Sequence, residues 1–430
     1  MKPIINLSLL LISLQVRCQQ LPEHHDYQED HEDKTPSEHH HLASAEEQEL
    51  ASPDYHKIVS SNADFAFRLY RNIASDAAAK NIFFSPFSIC TAFALLTLGA
   101  KSETKGEIYK GLAFNLLEIK EKEIHEGFRQ LMHMLHQTDS KALVNLGNAL
   151  FMDQSLKFLP TFLEDAKAFY EAEGFSVDFN ASRVAKKLIN DYVQNKTHGK
   201  ISHALDELNP GTVMLLVNYL FFKASWKNPF DTHLIREKTF FVDANTTVKV
   251  NMMHRKGYYK YLHDEELSCW VVELPYKSNA VAFFILPENG KLEHVESNLA
   301  KESLSKWTKN FRYENIALFI PKLSITASYD IKTVLQRMGM TAIFNDSADL
   351  SGITGQRNLK VSKALHHIML DMNESGTEVA AVTTIEFMLR SASPHPLLVL
   401  NFNRPFLIII WHTQTDNILF MGKILNPTKK

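Results

Sequence analysis

From Ser60 onward, apolar positions first recur with a helical period. SSNADFAFRLYRNIAS sets Phe65, Leu69 and Ile73 on one stripe behind a polar opening, which predicts an amphipathic helix. NIFFSPFSICTAFALLTLGA (81–100) reads as a short strand, a Ser-Pro helix start and a helix apolar on every side, hence a central buried helix. Helical patterns continue over 104–134 and 159–172. From about Val213 the pattern changes. VMLLVNYLFFKASW, SCWVVELPY, AVAFFILP, ALFIPKLSI, LLVLNF, FLIIIWH and ILFMGKI are rich in Val, Ile, Phe and Tyr and predict strands. Helices first and strands later, with no repeat and no linker after Tyr55, predict one α+β domain over 56–430.

The N-terminal end follows neither pattern. IINLSLLLISLQV is too short to span a membrane comfortably and reads as a secretory signal, residues 1–18, cleaved after Cys18. Residues 19–55 are acidic, rich in histidine and nearly free of large aliphatic side chains. Such a segment buries too little to offset chain entropy and is expected to be a disordered, solvated tail. Loose metal binding by His24, His25, His31 and His39–His41, sulfation of Tyr27, and contact of the acidic run with a basic exosite are the functional alternatives.

Composition adds exclusions. A net charge of −3 argues against nucleic acid as a partner, and no further stretch is apolar for long enough to cross a membrane. A soluble, secreted, extracellular monomer is expected. Cys90 and Cys269 are read as buried free thiols, with a disulfide between them as the alternative. Asn180, Asn195, Asn245, Asn345 and Asn373 each open an N-x-Ser/Thr sequon and are the glycosylation candidates of an expected glycoprotein. GxSxG, P-loop, GxGxxG, HExxH and CxxC patterns are absent, and adjacent His366 and His367 point to opposite faces of a strand. No metal centre and no enzyme activity are expected.

One segment is anomalous. ESGTEVAAVTTIEFMLRS (374–391) holds the place of a loop between two strands, yet it lacks proline and is strand-competent. In extended form Thr377, Val379, Ala381, Thr383 and Ile385 share a small or β-branched face, while Glu378 and Glu386 lie on the other. The segment ends in Arg390-Ser391, a trypsin-type cleavage sequence.

NIFFSPFSI, NDYVQNKTHGKI, LVNYLFFKASW, PKLSITASYD, ADLSGIT, KVSKALHH, ESGTEVAA and FNRPFLIII…LFMGKILNP occur in order over 63–427. In these motifs the chain resembles a serpin of the α1-antitrypsin clade. NADFAFRLY and VDANTTVKV are similar to kallistatin-, centerin- and protein C inhibitor-like members. The resemblance implies three β-sheets, eight or nine helices and an exposed reactive-centre loop at about 374–396. A serine protease attacks such a loop and is trapped as an acyl-enzyme when the cut loop inserts into the main sheet. Such loop insertion is the addition of a strand to an existing sheet. Insertion of about 12–14 residues adds ladder bonds worth roughly 0.5–1.5 kcal/mol each, on the order of 10 kcal/mol in all.

Carried over residue by residue, the resemblance places the scissile bond sixteen residues beyond Glu374, at Arg390-Ser391, with Phe387, Met388 and Leu389 in neighbouring subsites. An arginine there suits a pocket with a carboxylate at its base, so the expected partner is a trypsin-like protease in covalent complex. Glu374, Gly376, Thr377, Glu378, Val379, Ala380 and Ala381 form the hinge. Ser85, Ser88, Asn218 and His366 match the shutter, and Trp226 and Lys322 the breach, where Lys322 pairs with Glu374. Val379, Ser375 and the Asn373 sequon depart from the family pattern. The alternative is a weakly inhibitory or non-inhibitory carrier of a hormone or small ligand, or a signalling protein. Lys301, Lys306, Lys309 and Arg312 are candidates for a heparin-like polyanion, the one cofactor considered, against a solvated face beside Glu302 and Glu314.

Overall fold

The computed structural model describes residues 55–77, 79–136, 142–201, 203–377 and 397–429. The expected signal and tail lie outside the described residues, except Tyr55. So do Glu378, Val379, Ala380, Ala381, Phe387, Met388, Leu389, Arg390 and Ser391.

Helix Tyr55–Asp76 buries the predicted stripe of Phe65, Leu69 and Ile73. Helix Pro86–Thr97 starts where the sequence says it should. The Ser85 side chain accepts the Ser88 N–H at 3.1 Å, and Pro86 fills the first position. All twelve of its residues are buried, because it packs on strand Met214–Ser225 on one side and strand Asn417–Ile424 on another. The helical run over 104–134 resolves into Ser102–Gly111 and Glu121–His136. Ala113 turns left-handed between them, at φ 63°. Ten α-helices occur among the described residues, three of them shorter than eight residues.

The main sheet has six strands in the order Leu323–Asp330, Lys363–Asn373, Gly376–Thr377, Met214–Ser225, Ala142–Asp153 and Glu173–Val177. Two of them fall in the half of the chain read as helical. Ala142–Asp153 pairs with Met214–Ser225 over eleven positions, from Ala142↔Ala224 to Met152↔Met214. Its apolar pattern is interrupted by Gly147, where a Cβ would come within 2.1 Å of the Tyr219 hydroxyl. Helix Ser182–Lys196 covers the far face of this sheet with Ala185, Ile189 and Val193.

The second network has nine strands. Strand Thr247–Asp264 is 18 residues long and pairs with Arg236–Phe241 near one end and Cys269–Pro275 near the other. It thereby joins two of the three expected sheets into one hydrogen-bonded network. ALFIPKLSI divides between sheets. Arg312–Pro321 belongs to the second and Leu323–Asp330 to the main sheet, with Lys322 at the crossing. Cys90 and Cys269 are both buried free thiols, as read from the sequence.

One buried charge pair ties three elements together. Lys423, on strand Asn417–Ile424, lies 2.9 Å from Glu296 Oε1, which also accepts the Tyr70 hydroxyl at 2.6 Å. Lys423 is almost fully buried, so removing its partner leaves an uncompensated charge in the core. Glu296→Ala is expected to cost about 3–5 kcal/mol and lower the Tm by on the order of 10 °C, read by thermal melting. An unchanged melting curve would contradict this assignment.

Candidate functional site

The described part of the hinge is already strand. After Asn373 the chain turns back, and Gly376 and Thr377 form two rungs between the upper ends of strands Lys363–Asn373 and Met214–Ser225. The pairs are Gly376↔Asn373 and Thr377↔Met372 on one side, Gly376↔Ser225 and Thr377↔Ala224 on the other. Gly376 has φ +147°, and a Cβ on it would meet the Ala224 carbonyl oxygen at 2.2 Å. Backbone packs against backbone here, so only glycine fits. Thr377 is fully buried, its hydroxyl 2.9 Å from that of Tyr276.

The segment following strand Met214–Ser225 holds the turn. Trp226 N–H donates to Ser375 O at 2.9 Å, its indole N–H to Asn373 O at 3.0 Å, and Phe230 N–H to Glu374 O at 2.8 Å. The Trp226 ring stacks on Tyr276 at 4.3 Å and 14°. Lys322 lies 2.5 Å from Glu374, the pairing expected for the breach. Burial raises the Glu374 pKa, but Lys322 outweighs it and holds the carboxyl below its usual value.

Below the hinge the same two strands pair directly, in parallel, over seven positions from Lys363↔Leu215 to Met369↔Phe221. Ser85, Ser88, Asn218 and His366 meet on this seam. His366 stands opposite Asn218, with Nδ1 2.7 Å from Asn218 Oδ1, and Ser88 Oγ donates to the same oxygen at 2.5 Å. His366 Nε2 accepts the Ser85 N–H at 3.1 Å, so Nδ1 carries the proton in the neutral ring. A chain entering between these strands must break the Asn218–His366 bond.

Sequence reasoning missed Asn148, Tyr276 and Phe230. Asn148 faces Asn218 across the sheet and accepts its amide N–H at 2.8 Å. Its only signal was a polar residue inside an apolar run.

Histidine burial sets a pH dependence. Burial first, then neighbouring His367, push His366 down to about 3. Burial lowers His367, His125 and His412 each to about 4. An unfolded histidine titrates near ~6.5, so between that pH and about 4 the unfolded chain binds up to four more protons. Stability is therefore level above neutrality and falls as pH drops through this window, by about 1.4 kcal/mol per unit for each proton. Thermal melting from pH 8 to pH 4.5 checks it. Equal stability at pH 7 and pH 5 would refute it.

The remaining candidates separate. Lys301 pairs with Asp64 at 2.6 Å, and Lys306 with Asp264 at 2.8 Å and Glu266 at 3.0 Å, while Lys309 and Arg312 are exposed. Half of the polyanion set thus already has carboxylate partners. Asn180, Asn195, Asn245 and Asn345 are exposed. Asn373 is half-buried, and its side chain accepts the N–H of Ser375, the serine of its own sequon, at 2.9 Å. Among the described residues no helix is long and apolar enough to cross a membrane.

Comparison with known proteins gives the same picture. The family model described as Serpin (serine protease inhibitor) matches residues 60–427. Alpha-1-antiproteinase 2 of Equus caballus is 46% identical over 390 residues, covering 91% of this chain and 92% of that protein. Alpha-1-antichymotrypsin of Pongo abelii is 46% identical over 372 residues, covering 86% and 88%. Human glycosylated kallistatin superposes with a TM-score of 0.82 at 44% identity, covering 87% of this chain and 99% of that one. Human thyroxine-binding globulin, in complex with its hormone, gives 0.83 at 41% identity, with the same coverage. Gly376 and Thr377 seated at the head of the main sheet, the polar cluster on its seam and a match over nearly the whole described domain lead to one conclusion: the chain belongs to the serpin family, in the α1-antitrypsin clade.

Proposed function

We propose that this serpin is a secreted inhibitor of trypsin-like serine endopeptidases that acts as a suicide substrate at Arg390-Ser391. The observation that carries the reading is the pair of rungs made by Gly376 and Thr377. They put the start of the loop in line with a seam that seven paired positions keep closed. The protease serine oxygen attacks the Arg390 carbonyl, the peptide bond breaks, and the amine leaves with Ser391. An ester then joins enzyme and inhibitor. Residues beyond Thr377 descend between the two strands and draw the ester-linked protease with them. Secretion from the signal 1–18, glycans at exposed Asn180, Asn195, Asn245 and Asn345, and action as a monomer belong to this reading.

Incubation with trypsin is expected to give an SDS-stable complex and a new N-terminus at Ser391. Clean cleavage there without a complex would end the inhibitory reading. The likeness to thyroxine-binding globulin favours a second one, a small-ligand carrier. Cleavage without a complex, together with saturable hormone binding, would establish it instead.

A further inference from the structure

Beside the hinge, on the outer side of segment 226–230, lies a cavity of about 300 Å³ that neither the inhibitory seam nor the core explains. Its lining combines Arg255, Lys227, Lys260 and Glu273 with Tyr258, Tyr313 and Trp226. Tyr258 and Tyr313 are 51% and 69% exposed, yet their rings stack at 5.7 Å and 16°. They are diagonal neighbours, since Tyr313 pairs with Lys260, two residues along the strand from Tyr258. The stack presents a flat aromatic surface to solvent.

The charges around it are unequal. Lys260 is matched by buried Glu273 at 3.1 Å. Arg255 lies against Tyr259, its carbon 5.5 Å from the ring centre and Nη1 3.4 Å from the hydroxyl. Neither Arg255 nor Lys227 has a carboxylate partner among the described residues. Two cations with no carboxylate partner among the described residues thus border an exposed aromatic platform in a concave, partly apolar site. That combination attracts an anionic group at one end and a planar ring at the other.

We propose that this cavity binds a small planar aromatic anion, an arylcarboxylate or aryl sulfonate. The ring lies against the Tyr258–Tyr313 stack and the acid faces Arg255 and Lys227. The proposal does not depend on protease inhibition, because binding is read directly.

The probe is anilinonaphthalene sulfonate, titrated into the full chain by fluorescence, with uncharged phenylnaphthylamine as the comparison. One saturable site is expected, and the neutral analogue binds about tenfold more weakly. Arg255→Gln and Tyr313→Ser should each weaken the sulfonate by about tenfold. Both residues are outside the hinge and seam, and unchanged melting curves confirm that the variants fold. Added salt should weaken the sulfonate and leave the neutral probe unaffected. Absence of a saturable site, equal affinity for the two probes, or wild-type affinity in Arg255→Gln would each overturn the proposal.

Discussion

Arg390→Glu is expected to lower the rate at which this protein inhibits trypsin by about four orders of magnitude, because a pocket built around a carboxylate then receives a second carboxylate. The arginine guanidinium is the only group in FMLRS that can pair with such a pocket. Its loss strands a buried charge on the protease side and adds a like charge beside it. The fold should not change, since the residue lies outside the two described rungs at Gly376 and Thr377. Second-order inhibition rates for wild type and variant, measured alongside thermal melting, are the check. Near-wild-type inhibition of trypsin by the variant would remove Arg390 from the cleaved position.

Thr377→Arg should leave attack at Arg390 intact and destroy trapping. Position 377 is fully buried between two strands, with its hydroxyl on Tyr276. The Tyr276 hydroxyl cannot neutralise a guanidinium there, and an unpaired buried charge costs several kcal/mol. The uncleaved variant is expected to escape that cost by giving up the two rungs, so insertion has to meet it again. Each 1.4 kcal/mol on the barrier slows insertion about tenfold, and deacylation overtakes it by a factor of about 100 or more. The expected gel shows cleaved chain and free protease where the wild type shows a complex. Thr377→Val is the milder control. It keeps the shape and leaves only the Tyr276 hydroxyl unpaired, about 1–3 kcal/mol. An SDS-stable complex in normal yield from Thr377→Arg would show that the inserted rungs are not on the inhibitory path.

These two experiments divide the mechanism between bait and trap, and the sequence speaks to them unequally. Arg390 is legible only through the serpin resemblance, which implies a cleaved position sixteen residues beyond Glu374. That Gly376 and Thr377 are already in the sheet is not. Nothing in ESGTEV distinguishes a loop about to insert from one whose first two residues have done so. The difference is whether the strands on either side have parted above Met369↔Phe221. The expected polyanion patch shows the same limit. Lys301, Lys306, Lys309 and Arg312 look alike in sequence, but Asp64 and Asp264 arrive from distant segments to neutralise the first two.

By itself the sequence determined what is local. It set the buried helix Pro86–Thr97, capped by Ser85 and apolar on every side, the β-rich second half, and a proline-free segment able to become a strand. It left Ala142–Asp153 unread, because Gly147 interrupts the apolar pattern for the sake of Tyr219 on the neighbouring strand. Only the tertiary structure decided that Asn218 and His366, 148 residues apart, share one oxygen with Ser88 across a parallel seam, and that Asn148 completes the cluster. The reason is physical. Side-chain periodicity reports which face of an element is buried, whereas the partner on the far side of that face is fixed by strand order and register.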